Sequence, residues 1–175
     1  MKYILLPLLF ITQFTFAQNK KGYSFITTSF NLSLAINEEY TLEDDDQPLL
    51  LPTAIMMRVG FGYQFNKRLG LSFNAGYDNH YKYSIKAIPT YLSLRYHIWE
   101  NDGDAFFAEY GQGKMWRPIK KYSDGNYYNF GLGWQMSSSS KWKPILRFAY
   151  HRKKIAGFEN GSLDSVSLGF GFTFF

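Results

Sequence analysis

The sequence predicts an all-β fold, an eight-stranded antiparallel up-and-down transmembrane β-barrel preceded by a cleavable signal peptide. Three observations predict it. Large apolar residues alternate with small or polar ones in eight segments, which is the two-residue period of a strand. The connections between these segments alternate in length. Aromatic residues make up 20% of the chain, yet no apolar run after residue 17 reaches the roughly 20 residues that a transmembrane helix needs.

The first 17 residues are predicted to be a secretory signal peptide. Lys2 supplies the positive start, Ile4–Phe16 is the apolar core, and Thr15 and Ala17 are small residues at the usual cleavage offsets. An uncleaved anchor is the alternative, but the apolar run is too short to span a bilayer. We therefore expect residues 1–17 to be removed and residues 18–175 to form the barrel.

The first four strands are predicted at Tyr23–Ile36, Thr53–Phe65, Leu69–Asp78 and Ala87–Trp99. Aliphatic and aromatic residues occupy one face of each segment, and Asn, Ser, Gly, Gln and Arg occupy the other. High aromatic content with this alternation is typical of a barrel whose apolar face contacts lipid.

The next three strands are predicted at Ala105–Lys114, Tyr127–Met136 and Pro144–Arg152. The last strand shows the pattern most clearly, and its apolar residues are Val166, Leu168, Phe170, Phe172 and Phe174. The opposite face carries only Ser, Gly and Thr, which are too small to pair with an aromatic core. An aromatic outside with a small interior favours a barrel in lipid over a soluble sheet.

The connections provide a separate check on this topology. Those after strands two, four and six are short, whereas those after strands one, three, five and seven are longer. With both termini on one side, every short turn lies on that side and every long loop on the other. Short periplasmic turns and long external loops are typical of outer-membrane barrels.

The leader, the eight strands, the loop asymmetry and the closing Leu168–Phe174 run resemble the small eight-stranded outer-membrane barrels of the OmpX/OmpA transmembrane-domain type. The resemblance covers roughly residues 23–175 and implies a Gram-negative cell envelope. It also implies closure by the first and last strands and insertion by the barrel-assembly machinery. It implies no single activity, because such barrels serve as anchors, adhesins, pores or lipid enzymes. The C-terminal assembly strand is expected to act through Phe170, Phe172, Phe174 and Phe175, the last of which is one step out of phase.

The inward face predicts a polar network in the lumen, formed by Arg58, Arg95, Glu109, Arg147 and His97. Side chains fill the interior of an eight-stranded barrel, and charges there must pair to offset desolvation. We expect a structural plug. The alternative is a narrow pore in which Glu109 exchanges arginine partners.

Basic residues collect at or beyond the long-loop ends of the strands. Positive charge there suits lipopolysaccharide phosphates, although ordinary solvated loop charge is an equal alternative. The net charge of +5 is expected to interact with anionic lipid headgroups. A nucleic-acid partner is not expected for an exported chain. The residues expected to face lipopolysaccharide are Lys82, Lys86, Arg117, Lys120, Lys121, Arg152, Lys153 and Lys154.

Neither a cofactor nor a metal site is predicted. The chain has no cysteine, so thiolate sites are excluded. The first long loop carries six carboxylates between Glu38 and Asp46, but it lacks the spacing of a calcium-binding loop. We expect a solvated acidic loop, with divalent-ion bridging as a conjecture.

A hydrolase is considered because outer-membrane lipid A deacylases are barrels of this size with a His-x-Ser element near the last hairpin. His151 is at the corresponding distance from the end, but the nucleophile position holds Lys153. A triad needs a hydroxyl beside the base, so no enzyme activity is predicted. His151 is expected at the membrane interface, His80 in a loop and His97 in the lumen.

The sequence thus predicts a small, non-enzymatic integral outer-membrane barrel. Its role would be structural, lipopolysaccharide-contacting or directed through its loops to an unidentified protein partner. The alternatives are a narrow pore, a lipid A-modifying hydrolase and a soluble periplasmic ligand-binding barrel with its aromatic face turned inward.

Overall fold

The computed structural model describes residues 22–36, 50–82, 84–117, 124–157 and 161–175. No helix in these ranges is long and apolar enough to cross a membrane. The described chain forms eight strands: β1 (Tyr23–Ile36), β2 (Leu50–Gln64), β3 (Leu69–His80), β4 (Ile85–Asn101), β5 (Asp104–Trp116), β6 (Gly125–Gln135), β7 (Trp142–Ile155) and β8 (Ser162–Phe174).

The strands close into one antiparallel barrel in chain order. Each strand pairs with the next, and β1 pairs with β8 from Ile26 opposite Phe174 to Leu34 opposite Val166. The predicted strand count, order and closure are therefore confirmed. The main difference lies at the long-loop ends, where β3 continues to His80 and β7 continues to Ile155.

Residues that pair across successive strands form rows, and these rows spiral around the barrel. A row that starts at Asp164 on β8 passes through the seven other strands and returns to β8 at Phe174, ten residues further along. This offset is the shear of the barrel, and it requires strands tilted by roughly 35–45°. Each row therefore descends toward the short-turn side as it runs from β8 back to β1.

The two faces of the strands have opposite environments. Outward-facing aromatic and aliphatic residues are exposed, including Phe61 at 62% and Leu168 at 58%, whereas the inward-facing Asn74 is only 4% exposed. An apolar band of this kind on the outside is the lipid-facing surface of a transmembrane barrel. The soluble alternative, which required the aromatic face to point inward, is wrong.

Tryptophans mark the two ends of this band. At the short-turn end, Trp142 contacts Phe174 with ring centres 3.8 Å apart, and Trp99 lies 6.0 Å from Trp134. At the long-loop end, the Trp116 indole N–H donates to Thr90 Oγ1 at 2.9 Å. Amphipathic rings at both ends are typical of the membrane interfaces.

Candidate functional site in the barrel interior

The interior near the short turns is organised around Glu109 on β5. Glu109 lies directly opposite Arg95 on β4, and its Oε2 accepts from Arg95 Nη2 at 3.0 Å and from Nε at 3.1 Å. Arg147 reaches the same oxygen from β7, with Nη2 at 3.4 Å. All three side chains are buried. We call these three residues the turn-side network.

Aromatic rings close the space around this network. The Arg95 guanidinium lies 4.3 Å from the ring centre of Phe107 and 5.5 Å from that of Phe25. Both rings are buried. The Phe107 ring occupies the space that a Cβ atom at Gly133 on β6 would need. The small inward residues of β6 therefore leave room for large side chains from neighbouring strands.

A second set of charges lies nearer the long loops and is organised around Asp78 on β3. Asp78 Oδ1 accepts from Arg58 Nη1, and Asp78 Oδ2 lies 2.7 Å from Lys153 Nζ. The Lys153 amine also contacts His80 Nε2. Asp78 and Lys153 are both 0% exposed, so this pairing is fully removed from solvent.

The set continues as a chain of polar contacts across the barrel. Arg58 Nη2 donates to Tyr127 Oη at 3.4 Å, and the same oxygen lies 2.7 Å from His151 Nδ1. His151 Nε2 in turn lies 2.7 Å from Ser167 Oγ on β8. The loop-side network consists of Arg58, Asp78, His80, Tyr127, His151, Lys153 and Ser167.

The structure places all five predicted lumen residues in the interior. Arg58 belongs to the loop-side network, and Arg95, Glu109 and Arg147 form the turn-side network. His97 is buried near the short turns, with Nδ1 3.1 Å from the carbonyl oxygen of Lys67.

Three expectations about basic side chains are wrong. Lys153 does not face lipopolysaccharide, because it lies within β7 and points into the lumen toward Asp78. His151 is buried rather than at the membrane interface, and His80 is a buried residue at the end of β3 rather than a loop residue. All three follow from strands that continue further than predicted.

The other predicted basic residues divide into three groups. Lys82 and Lys86 are exposed at the long-loop end, and Arg152 and Lys154 point outward from β7. Arg117 is mostly buried, and its backbone N–H donates to Asp124 at 2.9 Å. Lys120, Lys121 and the acidic segment 38–46 lie outside the described residues, as does the predicted signal peptide.

The residues that sequence analysis missed carried a usable signal. Asp78 and His80 continue the two-residue period of Asn74 and Gly76 on β3. Lys153 likewise continues the period of Arg147 on β7. Extending the period by one or two steps beyond Gly76, and by three beyond Arg147, would have placed them inside. Within the ranges that the structure describes, no three His, Asp or Glu side chains are grouped as a metal site.

Comparisons with known proteins address the fold. No protein-family model matches the chain, and no curated protein matches it. Among solved structures, Neisserial surface protein A (NspA) matches with a TM-score of 0.64 and 10% identity, over 89% of this chain and 99% of that chain. The N-terminal β-barrel domain of Pseudomonas aeruginosa OprF matches with a TM-score of 0.54 and 17% identity, over 88% and 100%.

At these identities the likeness concerns the fold alone. It agrees with the closed eight-stranded topology and with the ring of exposed apolar residues described above. The chain therefore has the fold of the small eight-stranded outer-membrane barrels, and its apolar belt is the surface that such a barrel presents to the membrane.

Proposed function

We propose that the protein is a non-enzymatic, non-conducting integral barrel of the outer membrane, whose filled interior supports an external surface that contacts lipopolysaccharide. The observation that carries the proposal is the interior itself. Two ion-paired networks and their neighbouring aromatic rings occupy the lumen at two levels. A rigid plug of this kind suits a structural or binding role better than transport.

Electrostatics favours a plug that stays closed. Glu109 and Asp78 are each shared by two cations at low effective dielectric. Removing one partner of a buried pair leaves an uncompensated charge and typically costs about 3–5 kcal/mol. An ion that crossed the lumen would have to separate these pairs, so a large resting conductance is not expected.

One observation favours a narrow pore as the second candidate. The two networks together hold four cations, Arg58, Arg95, Arg147 and Lys153, but only the carboxylates of Asp78 and Glu109. A lumen that opened between them would carry positive charge and prefer anions.

The interior also contains a serine beside a histidine, as nucleophilic catalysis requires. Ser167 Oγ lies 2.7 Å from His151 Nε2, and the other ring nitrogen faces Tyr127. Ser167 is only 1% exposed, however, and lies on the inner face of β8. A lipid on the outside of the barrel cannot approach it, which supports a structural role for this pair.

Planar-bilayer recording tests the closed lumen. The refolded protein should show no stable single-channel current, whereas a variant that removes part of the plug, R95A/F107A/E109A, should conduct. Unboiled gel mobility checks that the variant is folded, and a general porin checks the apparatus. A stable current from the wild-type barrel would overturn the proposal in favour of the pore.

Incubation with lipid A, followed by mass spectrometry of the lipid, tests the absence of hydrolysis. We expect the acyl chains to remain intact with the wild-type protein. Loss of an acyl chain that disappears in S167A would show that the protein is an enzyme.

A further inference from the structure

We propose that the outer surface of β5–β7 carries a specific site for lipid A, in which Lys114 and Lys154 bind phosphate and a neighbouring groove receives an acyl chain. This inference rests on the proposed contact with lipopolysaccharide and assigns it to particular residues. Lys154 is one of the residues expected to face lipopolysaccharide, and the inference adds Lys114 and a neighbouring groove. Both lysines lie within strands on the membrane-facing side.

The register places the two lysines on either side of one amide. Lys114 on β5 pairs with Asn126 on β6, which pairs with Lys154 on β7. Neighbouring strands lie about 4.8 Å apart, so the two lysine Cα atoms are roughly 10 Å apart. Lys114 Nζ donates to Asn126 Oδ1 at 2.9 Å, and Lys154 Nζ lies 5.7 Å from the ring centre of Tyr128. The ammonium groups can converge on a phosphate between them.

Two cavities meet at these residues. One, of about 490 Å³, is lined by Lys114, Trp116, Asn126 and Lys154 among others. The second, of about 550 Å³, shares Lys114 and Asn126 with the first. Its remaining lining includes the apolar side chains of Leu71, Leu92, Leu94 and Tyr110. The first cavity carries both ammonium groups, and the second continues from it over apolar side chains, as a headgroup with its attached chain would require.

Neither lysine forms an ion pair with the described carboxylates nearby. Asp124 lines the first cavity, where its carboxylate accepts a hydrogen bond from the backbone N–H of Arg117 at 2.9 Å. Asp164 is held by Arg152 through contacts of 2.9 and 2.8 Å. Among the residues that the structure describes, neither Lys114 nor Lys154 forms an ion pair. The two ammonium groups are therefore available to bind an anion.

The spiral of the rows determines how deep each lysine lies relative to the apolar band. The row descends from Lys154 to Lys114, so Lys114 lies closer to the apolar band. Its methylene stem can cover apolar surface while its amine reaches the interface. This arrangement suits a phosphate attached directly to an acylated headgroup rather than a phosphate free in solution.

A local fluorescent reporter tests the site. Trp116 is the tryptophan at the long-loop end and lines the first cavity. In a W99F/W134F/W142F background, refolded into phosphatidylcholine bilayers, Trp116 emission is followed as phosphorylated lipid A is added. We expect a saturable change, and K114Q/K154Q should weaken the apparent affinity by roughly 30-fold.

The matched control, K67Q/K141Q, removes two exposed lysines at the short-turn end and should leave the affinity unchanged. Dephosphorylated lipid A and inorganic phosphate should each give little response.

Equal weakening by both variants would indicate general charge attraction and overturn the site, while the proposed contact with lipopolysaccharide would stand. No response of Trp116 to phosphorylated lipid A would overturn the site, whereas a contact with lipopolysaccharide at the other basic residues would stand, because the reporter is local. An equal response to dephosphorylated lipid A would exclude the phosphate contact, and an equal response to inorganic phosphate would exclude the acyl groove.

Discussion

Individual buried carboxylates hold the interior together. Asp78 joins Arg58 on β2 to Lys153 on β7, and Glu109 joins Arg95 to Arg147. Each carboxylate thus links strands that are not neighbours in the sheet. Because backbone hydrogen bonds connect only adjacent strands, these side chains are among the polar links across the lumen.

The change Asp78→Asn should destabilise the barrel by about 3–5 kcal/mol, because it leaves two buried cations without a counter-charge. Urea unfolding in lipid or detergent measures the free energy of unfolding. The matched control is Asp164→Asn, which breaks the exposed pair with Arg152, where the side chains are 37% and 47% exposed. That change should cost about 0–1 kcal/mol. Equal losses from the two variants would contradict a dry interior.

Interior glycines should differ in their tolerance of a methyl group. A Cβ atom at Gly133 would meet the Phe107 ring, which is buried and covered by Arg95. We expect Gly133→Ala to cost about 1–3 kcal/mol by overpacking. At Gly131 the nearest atoms would be 3.1 Å away, so Gly131→Ala should cost less in the same unfolding measurement. A larger loss at Gly131 would show that the ring can move aside.

The sequence predicted the direction of these side chains better than their partners. The two-residue period places Arg58, Arg95, Glu109 and Arg147 inside. It cannot pair Asp78 with Lys153, because these residues lie on β3 and β7, four strands apart, and only the closed barrel brings them together. Spacing along the chain carries no information about this distance.

At the scale of the strands, the ends of each strand were harder to predict than its presence. The bounds of β1 agree with the prediction, but β7 continues three residues beyond the predicted Arg152. The additional residues are mostly polar, and alternation is difficult to recognise where both faces are polar. The strands extend past the apolar band because hydrogen bonding to both neighbours continues there. Hydropathy therefore locates the membrane-embedded part of a strand and misses its extension.

Tolerance of charge on the outer face should depend on position along the strand. Phe148, near the middle of β7, is 55% exposed toward lipid. Phe148→Arg should cost about 2–4 kcal/mol, whereas Ile98→Arg, near the short-turn end of β4, should cost about 0–1 kcal/mol. Unfolding in lipid vesicles measures both values. Similar costs at the two positions would contradict the membrane placement.

At the scale of the whole molecule, closure should make the barrel resistant to detergent. Each of the eight strands is paired on both sides, so SDS meets no free sheet edge within the described strands. We expect the unboiled protein to migrate differently from the boiled protein on SDS gels, and D78N to lose the folded band at a lower temperature. Identical migration of boiled and unboiled wild-type protein would contradict a closed barrel.

The ten-residue shear has a consequence for the fidelity of assembly. When β8 meets β1, a slip of one residue would turn the Phe side chains inward, and the alternation of the faces opposes it. A slip of two residues would preserve the faces but change the shear and hence the diameter of the lumen. Phe107, Tyr127 and the paired arginines fill the lumen at its present width. The interior side chains thus favour the correct register between β1 and β8, because they fit the barrel in which Ile26 lies opposite Phe174.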